Sequence, residues 1–61
     1  MKLRVDDMSC RHCTDTIEKA ISDAGGRASA DLDSRTVEIE SLDEARAMQV
    51  IREAGYEPQP A

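Results

Sequence analysis

Two spacings of apolar residues follow one another along the chain and divide it into strands and helices. Met1, Leu3 and Val5 stand between charged residues, and this period of two is typical of a half-buried strand that ends by Asp6-Asp7. A helical spacing follows and predicts a helix from about Arg11 to Ala24. Its apolar stripe comprises Cys13, Ile17, Ala20, Ile21 and Ala24.

The period of two returns after Gly25-Gly26, a pair that ends the first helix because glycine accepts the left-handed backbone of a helix terminus. Residues 27–40 predict a hairpin with the turn Asp33-Ser34-Arg35, although this turn contains no glycine. The residues expected on the inner face of the hairpin are Ala28, Ala30, Leu32, Val37 and Ile39.

A second helix is expected directly after the hairpin. Ser41 and Glu44 match a capping box, in which Ser41 caps the helix and Glu44 reaches back to it. The residues predicted to face inward are Ala45, Met48, Ile51 and Ala54, with Ala47 and Val50 at the margins. Gly55 ends this helix, and the tail 56–61 adds a short strand that its prolines confine to a sheet edge.

The predicted order is strand, helix, strand, strand, helix, strand. This order fits the α+β ferredoxin-like βαββαβ fold, a four-stranded antiparallel sheet with both helices on one face. We expect the first and third strands in the centre of the sheet and the last strand at an edge. A chain of 61 residues has room for one small core, so residues 1–61 are expected to form one domain.

Composition and charge exclude several classes of partner. Charged residues make up 34% of the chain, the net charge is −5 and there is no block of Lys or Arg, which argues against nucleic acid or an anionic membrane as the main ligand. No apolar run approaches the roughly 18 residues of a membrane span. We therefore expect a cytoplasmic protein without membrane insertion, whose two cysteines are reduced thiols.

Most of the chemistry available to the chain lies in Met8-Ser9-Cys10-Arg11-His12-Cys13. Two thiols at this spacing can bind one metal ion, close into a disulfide or attack another disulfide. Cys13 falls in the first turn of the predicted helix and Cys10 just before it, where the helix dipole favours thiolates. Two thiolates alone suit Cu(I) better than Zn(II), which prefers four ligands in a structural site. The spacing alone leaves these uses open.

This motif, with the βαββαβ order and Ala54-Gly55-Tyr56 after the second helix, closely resembles the heavy-metal-associated domain family, and its bacterial copper chaperones in particular. The resemblance covers essentially the whole chain. It implies that Cys10 and Cys13 are the metal ligands and that Met8 packs beneath the loop rather than binding metal. It also places Tyr56 near the site, where its hydroxyl either tunes the thiolates or simply fills the core. His12 is expected to point to solvent, with a third-ligand role left open.

Two positions depart from the pattern of the family. Asp7 stands where the family usually has glycine before the motif methionine, which predicts a different or slightly strained loop. Ser9 stands where zinc-specific members tend to carry an acidic residue, which favours copper, whereas Asp6 and Asp7 keep zinc open.

The resemblance implies a Cu(I) chaperone, not an enzyme, that passes copper by thiolate exchange to a copper-transporting P-type ATPase. A monomer is expected without metal, and a metal-bridged dimer stays open. One alternative is the N-terminal metal-binding module of a heavy-metal ATPase, or a zinc- or mercury-binding domain. Another is a thiol-disulfide oxidoreductase with Cys10 as nucleophile, although the chain is shorter than a thioredoxin-like domain.

Overall fold

The computed structural model describes residues 1–61 and contains four strands and two helices in the predicted order. These are β1 (Lys2–Val5), α1 (Arg11–Asp23), β2 (Arg27–Asp31), β3 (Thr36–Glu40), α2 (Glu44–Glu53) and β4 (Pro58–Pro60). The strands form one antiparallel sheet in the order β2-β3-β1-β4. The ferredoxin-like fold is thereby confirmed, with β1 and β3 in the centre and the proline-containing β4 at an edge.

The core lies between the sheet and the two helices and consists of aliphatic side chains. Helix α1 packs on β2, α2 contacts β4, and the helices contact each other. The buried apolar residues are Leu3, Val5, Met8, Ile17, Ile21, Val37, Ile39, Ala47, Val50 and Ile51. Removing these side chains from water is the main favourable contribution to folding. No helix of the structure is both long enough and apolar enough to cross a membrane.

Helix α2 begins two residues later than the predicted capping box. Asp43 is the N-cap, and its carboxylate accepts a hydrogen bond from the Arg46 backbone N–H at 2.7 Å. Ser41 lies before the helix, with a left-handed φ of 71°, so the prediction that it caps α2 is wrong. The carboxylate of Asp43 satisfies one of the free N–H groups of the first turn and thereby fixes where the helix starts.

The later start is accompanied by a different inward face of α2. Ala47, Val50 and Ile51 are buried, whereas Ala45 is exposed, so the prediction that Ala45 faces inward is wrong. Valine and isoleucine bury more apolar area than alanine, and their positions decide which face meets the sheet. Met48, which was expected inside, is half-buried.

The β2–β3 hairpin differs from the prediction at its turn. Strand β2 ends at Asp31, so Leu32 falls in the turn and lies exposed rather than on the inner face. Arg35 adopts a left-handed φ of 56° and takes the conformation that a glycine would supply more readily. The other inward residues are placed as predicted, since Val37 and Ile39 are buried and the two alanines of β2 pack against the core.

Both helices end at a glycine with positive φ, 93° at Gly25 and 100° at Gly55. After α2 the Gly55 N–H donates to the Arg52 carbonyl at 3.0 Å, and the Tyr56 N–H donates to the Ile51 carbonyl at 3.2 Å. These two bonds are the Schellman motif, which satisfies the free carbonyls of a helix end. The motif also fixes the backbone at Tyr56, immediately before the last strand.

Candidate metal centre

Three connections meet at one end of the sheet. Strands β1 and β2 both run antiparallel to β3, so the loop after β1 and the turn after β2 lie at the same end. Strand β4 pairs with β1 through Val5 and Pro58, so the segment that leads into β4 begins there too. The topology therefore brings the C-x-x-C loop, the hairpin turn and the Tyr56 segment together.

The loop after β1 is anchored by a buried methionine. The Met8 N–H donates to the Val5 carbonyl at 3.1 Å, which closes a turn through Asp6 and Asp7, and the Met8 side chain is completely buried in the core. This placement agrees with the expectation that Met8 packs beneath the loop. Asp7 does not adopt a left-handed backbone, so the predicted strain at this position is absent.

The two cysteines lie on the first turn of α1. Cys10 is the N-cap residue, in an extended conformation and without a side-chain capping hydrogen bond. The two Sγ atoms are 3.3 Å apart, well beyond the length of a disulfide bond, and both cysteines are free thiols. Cys10 is exposed and Cys13 is half-buried. The pair is therefore close enough for both sulfurs to reach one metal ion from solvent.

Tyr56 is the main influence on the acidity of Cys13. The nearby Tyr56 hydroxyl is the largest cause, followed by the backbone at Ser9 and the Cys10 thiol, and together they lower the pKa of Cys13 to about 7. The nearby Cys13 thiol in turn raises the pKa of Tyr56. The lowered pKa of Cys13 favours its thiolate, which is the form that binds soft metals. Tyr56 is half-buried and also packs against the core.

Other potential ligands do not join the thiols. His12 is exposed, and the Asp6 carboxylate is held by the Arg4 guanidinium at 2.7 and 3.1 Å. No group of three or more His, Cys, Asp or Glu side chains in the structure could hold a metal ion. The donor set that this chain presents is thus a pair of thiols.

One buried polar residue in the first turn of α1 was missed by the sequence analysis. Thr14, next to Cys13, is 8% exposed, and its hydroxyl donates to the Arg11 carbonyl at 2.8 Å. The apolar stripe did not include it, because a threonine is a polar residue that the pattern assigns to the solvent-facing side of the helix. In the structure its hydroxyl bonds back to the carbonyl of the first turn of α1, in which Cys13 also lies.

The family model of the heavy-metal-associated domain matches residues 2–57. The chain belongs to the heavy-metal-associated domain family. The resemblance found in the sequence is thereby confirmed. No match was found among curated proteins.

Solved structures of similar domains cover nearly the whole chain. The copper chaperone Atx1 from Synechocystis PCC6803 is 32% identical with a TM-score of 0.86, and the match covers 97% of this chain and 98% of that one. A gold binding protein is 31% identical with a TM-score of 0.89, over 100% of this chain and 98% of that one. A copper binding domain from HMA7, a P-type ATPase, is 23% identical with a TM-score of 0.87, over 97% and 88%, which shows the shared fold alone.

Proposed function

We propose that this heavy-metal-associated domain binds one Cu(I) ion between the sulfur atoms of Cys10 and Cys13 and carries it to a copper-transporting P-type ATPase. The observation that carries the proposal is the pair of thiols 3.3 Å apart at the start of α1, of which Cys10 is exposed and Cys13 is half-buried with a pKa of about 7. Thiolates are soft ligands and favour Cu(I). The similarity to a copper chaperone and to a gold binding protein supports a soft metal as the cargo.

Transfer proceeds by exchange of sulfur ligands. A thiol of the partner loses its proton to solvent, and its sulfur bonds to copper while Cys10 and Cys13 are still attached. One of the two original Cu–S bonds then breaks, and the released thiolate takes up a proton. A second exchange completes the transfer. Copper stays Cu(I) and keeps at least two sulfur ligands throughout, so no oxidant or reductant is needed.

The different exposure of the two cysteines indicates from which side the partner approaches. Cys10 is open to solvent, so the sulfur of a partner approaches from its side. Cys13 is half-buried, next to the Tyr56 hydroxyl, and remains the inner ligand while the partner attaches. We further propose that transfer occurs in the cytoplasm, where reducing conditions keep both thiols available. The role proposed here is that of a carrier, not an enzyme.

Copper transfer can be measured directly. The domain is loaded anaerobically with one equivalent of Cu(I) and mixed with an isolated cysteine-containing domain of a P-type copper ATPase, and the two proteins are separated and their copper measured. We expect copper to reach the ATPase domain much faster than it reaches the same concentration of glutathione. A variant of the ATPase domain with serine for both cysteines is the control and should gain no copper. Equal rates to glutathione and to the ATPase domain would contradict the proposal.

A further inference from the structure

The hairpin turn between β2 and β3 holds the start of the metal loop through one residue, Arg35. The Val5 N–H donates to the Arg35 carbonyl at 2.8 Å, which extends the pairing of β1 with β3 by one residue beyond Arg4 and Thr36. The Arg35 guanidinium Nη1 then donates to the backbone carbonyl of Asp6 at 3.0 Å. These contacts join two segments that are 29 residues apart in the chain.

The Asp6 carbonyl belongs to the central peptide of a β-turn. The turn runs from Val5 to Met8 and is closed by the Met8 N–H bond to the Val5 carbonyl, so its central peptide joins Asp6 and Asp7. Among non-glycine residues only Arg35 and Ser41 have positive φ, which excludes turn types II, I′ and II′ here. The hydrogen-bonded turn that remains is type I, in which no position requires glycine.

The orientation of this peptide distinguishes type I from type II. In a type II turn the central peptide is flipped, its carbonyl points the other way and the third residue, here Asp7, needs a positive φ. A guanidinium that binds the Asp6 carbonyl opposes that flip. The Asp6 side chain is held separately by Arg4, so the carbonyl contact is the particular contribution of Arg35.

The turn leads straight into the thiol pair. Met8, its last residue, is locked in the core, and Cys10 follows two residues later as the N-cap of α1. We propose that Arg35 is a positioning residue, which holds the Asp6–Asp7 peptide in the type I orientation and thereby sets the path of the loop that presents Cys10. The part of this inference that concerns copper rests on the proposed function.

The test removes the guanidinium and asks whether the peptide flips. Arg35→Asn keeps a residue that tolerates the left-handed backbone of the hairpin turn but cannot reach Asp6. Asp7→Gly permits the type II turn. In nuclear magnetic resonance spectra a strong contact between the α-proton of residue 6 and the amide proton of residue 7 marks the flipped peptide.

We expect Asp7→Gly alone to keep the type I pattern, because Arg35 still holds the carbonyl, and the double variant with Arg35→Asn to show the flipped peptide. The matched control is Asp7→Gly with Arg4→Gln, which removes an arginine from the Asp6 side chain but leaves its carbonyl bound, and should keep type I. Arg35→Lys in place of Arg35→Asn should restore part of the type I pattern, since an ammonium group can also donate.

The rate of Cu(I) release is the second measurement, after the conformation of the turn. The double variant with Arg35→Asn should release Cu(I) to a chelator about threefold to tenfold faster than Asp7→Gly alone, the size expected from one lost hydrogen bond. An unchanged turn in that variant, or an unchanged release rate after a flip, would overturn the proposal. If the wild type binds no copper, the proposed function fails, while the turn pattern still decides whether Arg35 holds this peptide.

Discussion

The two helices of this domain begin in opposite ways. Helix α2 starts at Asp43, whose carboxylate accepts the Arg46 N–H at 2.7 Å, and Glu44 adds a second acid to the first turn. Helix α1 starts at Cys10, which makes no capping hydrogen bond with its side chain, and its first turn contains no acidic residue. Both starts follow an apolar residue that packs in or against the core.

This difference separates a structural helix start from a functional one. The free N–H groups and the positive end of the dipole stabilise an anion at any helix N-terminus. At α2 the chain supplies that anion itself as a carboxylate. At α1 it supplies two thiols instead, which become anionic as they lose protons or bind a metal. Under the proposed function, the start of α1 is kept free for the metal ion, and some helix stability is given up there.

The largest expected effect concerns the apolar residue before each helix. Met8 is fully buried and Leu42 is half-buried, so Met8→Ala should lower the free energy of unfolding by about 2–5 kcal/mol, and Leu42→Ala by less. Urea unfolding of the reduced proteins measures both. Met8→Leu is the matched control and should keep both stability and copper binding, because Met8 serves the core. A loss of copper binding in Met8→Leu would instead make Met8 a ligand.

Loss of the α2 cap should lower the free energy of unfolding by less than loss of the buried methionine. Asp43→Ala is expected to lower the free energy of unfolding by about 1 kcal/mol, since a free N–H of the first turn loses its acceptor. Ser41→Ala, at the position that the capping-box pattern favours, should leave stability nearly unchanged. Thermal unfolding followed by circular dichroism compares the two variants. Equal losses would show that Ser41 caps the helix after all.

The start of α1 should respond in the opposite direction. Cys10→Ser supplies a hydroxyl that can cap the helix, so the metal-free protein should gain about 0.5–1 kcal/mol of stability. The same variant should lose tight copper binding, because one ligand is gone. Cys13→Ser lies inside the first turn and should lose copper without the gain, which makes it the control. If Cys10→Ser is no more stable than the wild type, the absence of a side-chain cap at Cys10 does not lower the stability of the domain, and this part of the account is contradicted.

The smallest effect concerns the acidity of Cys13. Tyr56→Phe removes the hydroxyl that contributes most to the lowered pKa of Cys13, so this pKa should rise from about 7 toward that of an ordinary thiol. The pH dependence of the Cys13 β-carbon chemical shift measures it. A pKa that stays at about 7 in the variant would assign the effect to the backbone at Ser9 instead.

The pH dependence of stability has a definite sign. A lowered pKa in the folded protein favours folding above the pKa of the unfolded thiol, and this contribution disappears as pH falls through about 7. The metal-free wild type should therefore gain stability relative to Tyr56→Phe between pH 7 and about 8.5. Unfolding of both proteins in urea across this range provides the comparison.

Local pattern was sufficient for the order of the elements. Alternation and helical spacing are set by side chains a few residues apart, so β1, α1 and the hairpin appear in the sequence with nearly their observed bounds. The prolines of the last strand predicted its edge position, because proline has no N–H to donate to a neighbouring strand. The placement of both thiols at the start of α1 followed from the loop and stripe around them.

Contacts between segments far apart in the chain could not be predicted from the sequence pattern. The Glu18 carboxylate accepts the N–H of Ala30 at 2.9 Å and covers the edge of β2, and Arg35 binds the carbonyl of Asp6. Neither contact leaves a period in the sequence, because each depends on how the elements pack. The predicted start of α2 was wrong because Ser41 and Asp43 are both able to cap a helix and lie only two positions apart. The sequence alone did not distinguish between them.

The most direct test is an anaerobic competition of the reduced protein against a coloured Cu(I) chelator and, separately, a Zn(II) chelator. We expect the wild type to withdraw about one Cu(I) per chain and to hold zinc far more weakly, because two thiolates satisfy Cu(I) but not Zn(II). The Cys10→Ser, Cys13→Ser double variant should withdraw none. Zinc held as tightly as copper, or copper left with the chelator, would contradict a two-thiolate copper site.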